Sequence, residues 1–138
     1  MAHTDCLTVE AKGTTSSTKT ILFVDDEGIL VEMNLLRFSR MGYNVVGCKS
    51  PANALDTFKS APDKFDLVIT DYTMPHMTGI DLTREILAIR PDVPILLLSG
   101  SDELIASGKV REAGVKVYAS KVADRQELEE LIEQALQG

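Results

Sequence analysis

Asp66-Leu67-Val68-Ile69-Thr70-Asp71-Tyr72-Thr73-Met74-Pro75-His76-Met77-Thr78-Gly79 reads as a buried β-strand over 66–70 followed by a loop punctuated with proline and glycine. The carboxylate of Asp71 then stands at the strand's carboxyl end, held out of the core and aimed at solvent. Other apolar runs end in a similar way. Ile21-Leu22-Phe23-Val24 leads into Asp25-Asp26-Glu27, Ile95-Leu96-Leu97-Leu98 into Ser99, and Val115-Lys116-Val117-Tyr118-Ala119-Ser120 into Lys121. Four strands therefore deliver three carboxylates, a hydroxyl and an ammonium to one rim.

Working outward, strands are expected at about 20–24, 44–48, 66–70, 94–98 and 115–119, alternating with helical patterns. That alternation is the signature of a βα-repeating parallel sheet. The second helix opens with Ser50-Pro51, a cap residue and a first-turn proline. The third carries Leu82, Ile86 and Ile89 on one face. The fifth starts at the capping box Asp124-x-x-Glu127 and continues with Leu128, Leu131, Ile132, Ala135 and Leu136 as an apolar stripe. The fourth, about 103–113, is weak because Gly108 sits in its middle, where glycine costs about 1 kcal/mol relative to alanine. The fold class is α/β, a doubly wound five-stranded parallel sheet with five helices. Residues 1–19, polar and rich in Thr and Ser, are expected to be a flexible leader before a domain over 20–138.

Composition narrows the function. The chain has 138 residues, enough for one domain with a single core, and its net charge of −7 argues against binding nucleic acid through the bulk surface. No apolar stretch approaches bilayer length and no signal-peptide core is visible, so neither membrane nor export is expected. The reducing cytoplasm is the default compartment. Cys6 and Cys48 have neither CxxC nor metal-ligand spacing, and Cys48 reads as a small buried hydrophobe.

Ligands bind doubly wound sheets beyond the carboxyl ends of the strands, which would bring Asp25, Asp26 and Asp71 into one acidic cup. A hard divalent cation relieves the repulsion among them, and magnesium suits a site that supplies few protein oxygens and accepts phosphate oxygens. A carboxylate in such a cup can attack phosphorus and form an acyl phosphate. Lys121 can neutralise one phosphoryl oxygen and the Ser99 hydroxyl can bond another.

The chain resembles a response-regulator receiver domain of two-component signalling from about Thr20 to Leu136. The resemblance rests on Val24-Asp25-Asp26-Glu27, on Asp71-x-x-Met74-Pro75-x-Met77-x-Gly79, on Ser99-Gly100 and on Tyr118-x-x-Lys121. It implies a flavodoxin-like strand order 2-1-3-4-5 and phosphorylation at Asp71. It also implies magnesium held by Asp26 directly, by Asp25 through water, by Asp71 and by the backbone carbonyl of Thr73. Ser99 and Tyr118 would form a conformational switch, and Lys121 would pair with the phosphoryl group. The donor would be a phosphohistidine on a histidine kinase or a histidine phosphotransfer protein. The output would be a docking face built from the fourth helix, fifth strand and fifth helix, with no substrate turnover of its own. The segment around Ile21–Glu27 is similar to receivers fused to hybrid histidine kinases. In one place the chain departs from the family: Val122 stands where a proline usually follows the lysine, so the Lys121–Val122 peptide is expected to be trans. Ser101 and Thr73, beside the path of attacking water, are short and suggest a long-lived phosphoryl group.

Blander readings stand beside these. Asp25-Asp26 can simply cap the first helix, Tyr118 can be core, and His76 is an exposed loop residue as readily as a ligand. Two other functions also fit parts of the pattern: a metal-dependent phosphatase with an aspartyl-phosphate intermediate, and a receiver-like binding module that is never phosphorylated.

Overall fold

The structure, a computed structural model, describes residues 6–11, 18–100, 108, 112–121 and 123–137. Its elements run β1 (Cys6–Val9), β2 (Thr20–Val24), α1 (Gly28–Arg40), β3 (Asn44–Cys48), α2 (Pro51–Ser60), β4 (Leu67–Asp71), α3 (Gly79–Ile89), β5 (Ile95–Ser99), β6 (Val117–Ser120) and α4 (Arg125–Leu136), with a short 3-10 turn at Pro62–Lys64. The sheet order is β1-β3-β2-β4-β5-β6, and every pairing except β1 with β3 is parallel. Leaving β1 aside, the five parallel strands have the flavodoxin-like order 2-1-3-4-5.

Strand alternation splits the core into two layers. Leu22, Val24, Val46, Val68, Ile95 and Leu97 face α2 and α3, where Phe58, Leu82 and Ile86 are buried. Ile21, Phe23, Val45, Leu67, Ile69 and Leu96 face α1 and α4, where Phe38, Leu128 and Ile132 are buried. Phe23 and Phe38 meet edge to face at 5.6 Å, a favoured aromatic geometry. The helix starts follow local chemistry. Ser50 Oγ accepts from Asn53 N–H ahead of Pro51, and an Asp124 carboxylate oxygen accepts from Glu127 N–H. Thr78 and Asp81 form a reciprocal capping box at α3 that the sequence reading did not single out.

Three expectations need correction or limits. The flexible leader does not hold for residues 6–11. Cys6–Val9 pairs antiparallel with β3, and Ala11 N–H donates to Asn44 Oδ1 at 2.7 Å. Four residues would not hold alone, but a bridge from Cys6 to Cys48, directly opposite in register, ties the strand down. Cys48 is fully buried as expected, yet it is half of a disulfide and not a free hydrophobe. Four α-helices of two or more turns are present among the described residues. The fourth one expected, about 103–113, lies largely outside them; of that segment Gly108 is described and has φ 81°. Residues 12–17, Ser101 and Val122 also lie outside the described residues, and with them the Lys121–Val122 peptide. Among the described residues no helix is long and apolar enough to cross a membrane.

Candidate functional site

Register builds the site. Val24 lies opposite both Cys48 and Thr70, Asp71 opposite Leu98, and Ser99 opposite Ser120. The residues that end or follow these strands therefore share one rim. Side-chain alternation does the rest: Asp25 continues the row Ile21, Phe23, and Asp71 continues the row Leu67, Ile69. Both carboxylates are carried on the face packed by α1 and α4, and only 1% of Asp25 and 2% of Asp71 is exposed.

Asp25, Asp26 and Asp71 each offer an oxygen within 4.8 Å of the others. Lys121 Nζ lies 2.9 Å from Asp71 Oδ2 and 3.5 Å from Asp25 Oδ2. It also lies 3.5 Å from Glu27 Oε1, an exposed residue that the sequence reading quoted but gave no role. The acidic run Asp25-Asp26-Glu27 was the available signal. The contact itself depends on how far a lysine reaches, which no pattern encodes.

Asp25 and Asp26 do not cap α1 in the ordinary way. The cap residue is Glu27, without a side-chain cap bond, while Asp25 Oδ1 accepts from Glu27 N–H at 3.0 Å. That bond and the one from Asp25 N–H to the Cys48 carbonyl (3.2 Å) fix Asp25 at the strand end. Asp26 stays exposed.

The electrostatics are those of a cup with too much negative charge. Burial pushes the Asp71 carboxyl above its usual range, the Lys121 ammonium pulls it back, and the Asp26 charge pushes it up again. Burial likewise raises Asp25, partly offset by the Glu27 N–H bond and reinforced by the Asp71 charge. Lys121 loses solvation, but the hydrogen bond to Asp71 and the charges of Asp25, Asp71 and Glu27 outweigh that loss and hold it above its ordinary value. Two buried carboxylates that share the Lys121 ammonium, together with the exposed carboxylate of Asp26, form an oxygen donor set that suits a hard divalent cation.

The other predicted residues are less tightly gathered. Ser99 is buried at the end of β5, and its carbonyl accepts the Lys121 N–H at 3.0 Å, so the hydroxyl-bearing strand and the lysine are coupled through backbone. Tyr118 is 41% exposed on β6 between buried Val117 and Ala119, so it is not core. Thr73 is exposed in the loop after β4. Met74 is buried beneath that loop and Met77 packs beside it, as anchors rather than ligands. His76 is exposed, with φ 72°, and takes no part in the acidic group. Gly79 is where α3 comes closest to the site. A side chain there would collide with the Asp71 carbonyl and come within 2.7 Å of Leu97 Cδ1, so glycine permits the close approach of helix and strand.

A doubly wound sheet with carboxylates and a lysine gathered at its carboxyl rim is the arrangement that the resemblance to a receiver domain implies. The sequence model of the response regulator receiver domain matches residues 21–133, and the chain belongs to that family. The family's members are the receiver domains of two-component regulators. They are phosphorylated on aspartate, bind magnesium, and interact with histidine kinases or phosphotransfer proteins. Among relatives, the chain is 35% identical over 121 residues to the DNA-binding transcriptional regulator NtrC of Azospirillum brasilense, covering 87% of this chain and 24% of that protein. It is 32% identical over 117 residues to the transcriptional regulatory protein GlrR of Escherichia coli K12, covering 85% and 26%. The chain thus spans about a quarter of the length of these relatives. A solved receiver domain protein from Clostridium thermocellum superposes with a TM-score of 0.81 at 28% identity, over 86% of this chain and 94% of that one.

Proposed function

We propose that Asp71 is the phosphoacceptor, and that Asp25, Asp26, Asp71 and the Thr73 backbone carbonyl hold magnesium. The observation that carries this reading is the Lys121–Asp71 contact at 2.9 Å beside two further carboxylates whose oxygens lie within 4.8 Å of one another and of Asp71. An oxygen of Asp71 attacks the phosphorus of a phosphohistidine on a histidine kinase or phosphotransfer protein. The phosphorus–nitrogen bond breaks, and its electron pair returns to the imidazole nitrogen. Asp71 is left as an acyl phosphate. Lys121 exchanges its bond with the carboxylate for one with a phosphoryl oxygen, and the Ser99 hydroxyl takes another. Magnesium, when bound, supplies positive charge that offsets the crowding of carboxylate and phosphoryl oxygens.

Signalling follows from that exchange. Lys121 is one residue beyond β6 and bonded through its N–H to the Ser99 carbonyl, so regrouping at Asp71 bears on β5 and β6 together. Ser99 and the exposed Tyr118 act as the switch. The output is a protein-docking face formed by residues 101–113, β6 and α4. A nearly complete switch needs about 5.5 kcal/mol of differential stabilisation. A few charge-assisted hydrogen bonds at about 1.5–3 kcal/mol each are of that order. The unit that does this is residues 20–138. On this reading it works in the cytoplasm, binds neither nucleic acid nor membrane, and turns over no substrate.

Incubation with magnesium and a small acyl phosphate, followed by intact-mass measurement, tests the reading. One phosphoryl group should add to the chain, and none to Asp71→Asn. Normal labelling of the variant would overturn the assignment.

A further inference from the structure

Strand β1 lies outside the segment matched to the family, 21–133, and the five parallel strands close into a complete sheet without it. It is an added element, held by four backbone pairs, by Ala11 N–H on Asn44 Oδ1, by Ser39 Oγ on the Glu10 carbonyl, and by Cys6–Cys48. The two cysteines face each other in register, so the bridge forms without any shift of the strands. Cys48 is wholly buried and Cys6 only partly, with the Cys6 sulfur 3.4 Å from Thr57 Oγ1, so Cys6 is the less enclosed half of the bond. Disulfides inside a reducing compartment are typically transient and redox-sensing.

We propose that Cys6–Cys48 is a reversible thiol–disulfide site that clamps or releases β1 at the edge of the sheet. This rests on the cytoplasmic setting of the proposed function, where low-molecular-weight thiols and disulfides of the glutathione class are the co-reactants. In the oxidising direction the Cys6 thiolate attacks one sulfur of oxidised glutathione, and one glutathione thiolate leaves. The Cys48 thiolate then attacks the Cys6 sulfur and expels the second. Two protein thiols are oxidised, one small disulfide is reduced, and the two protons end on the released glutathione. Reduction runs the same steps backward, with attack at the Cys6 sulfur and Cys48 as the leaving thiolate. Opening leaves β1 on a four-residue ladder, and each time that ladder frays it bares the outer edge of β3, a row of backbone groups open to pairing with another strand. The Cys48 carbonyl also accepts Asp25 N–H at 3.2 Å, so the clamped strand ends against the acidic cup.

The full chain is equilibrated in glutathione buffers from reducing to oxidising. Free thiols are then counted by alkylation and intact mass, and amide hydrogen exchange is followed over residues 6–9 and 44–48. Both thiols should disappear together in one intramolecular step. Exchange in these strands should speed up by about tenfold or more on reduction, with the rest of the sheet unchanged. Cys6→Ser should exchange like the reduced chain in every buffer. The proposal is overturned if both thiols stay alkylatable under oxidising conditions, if the bond formed joins two chains, or if exchange at 6–9 is the same in both states. None of these readouts involves phosphorylation, so failure here leaves the Asp71 assignment standing, and failure there leaves this one.

Discussion

At one edge of the sheet β1 lies on β3 under a disulfide and two side-chain hydrogen bonds. At the opposite edge β6 has four residues, buries only Val117 and Ala119, and leaves Tyr118 exposed. The first edge is fastened by bonds that involve none of the rim's side-chain charges. The second hangs from the site itself, because Lys121 directly follows β6 and bonds Ser99 through its backbone and Asp71 through its side chain. A change of charge at Asp71 therefore reaches the β6 edge first, while a change of redox state at Cys6–Cys48 would act first on the β1 edge and meet the cup through the Cys48 carbonyl that accepts Asp25 N–H. The sheet offers two separately addressable margins.

The largest expected effect lies on the β6 side. Asp71→Asn should abolish phosphoryl acceptance while leaving β1 as protected from amide exchange as in the parent. Loss of protection in both margins would mean that they are one cooperative unit. Next in size, reducing Cys6–Cys48 removes a cross-link of sequence separation 42. Loop closure of that length is worth about 2–4 kcal/mol, to be read from urea midpoints with and without reductant. A change in phosphorylation rate as large as the change in stability would break the claimed independence.

Lys121→Ala should cost about 1–3 kcal/mol without metal, since two buried carboxylates lose their ammonium. Magnesium should recover much of that, because a cation again stands among the oxygens. Equal costs with and without magnesium would argue against a shared cup. The pH dependence has a definite sign. Asp25 and Asp71 sit above their ordinary range when folded, chiefly through burial, so in the metal-free chain the folded state binds more protons than the unfolded one. Their contribution is fully present below the ordinary carboxylate range and is lost as pH rises through the raised values. Stabilisation by magnesium should therefore be greatest near neutral pH and shrink on acidification, measured as melting temperature with and without the ion. A gain that grew toward acid would contradict the cup. Smallest of all, Tyr118→Ala should alter stability by no more than about 0.5 kcal/mol, as exposed positions do, yet weaken binding of a downstream partner to the phosphorylated chain.

The same contrast explains what could be read in advance. The five parallel strands were legible because each is a short apolar run closed by polar or turn residues, and Asp25, Asp26, Asp71, Ser99 and Lys121 were legible because they end those runs. The β1 strand was not. Cys6-Leu7-Thr8-Val9 is too short to declare itself, and its support comes from Asn44 and Cys48, tens of residues away. Tyr118 was ambiguous because strand propensity draws aromatics to sheets without saying which face is covered. The Thr78–Asp81 box was hidden by the loop residues that dominate its neighbourhood, and the link from Glu27 to Lys121 depends on side-chain reach. Local pattern carried the site's backbone positions, and long-range pairing carried the rest.

The central claim is that Asp71, and no other carboxylate of the cup, carries the phosphoryl group. Borohydride reduces an acyl phosphate to the alcohol, converting a phosphorylated aspartate to homoserine in place. Peptide mapping of the chain after acyl phosphate, magnesium and borohydride should find that conversion at position 71 alone. Conversion at Asp25 or Asp26, or an unmodified Asp71 in chain that has gained a phosphoryl group, would contradict the account.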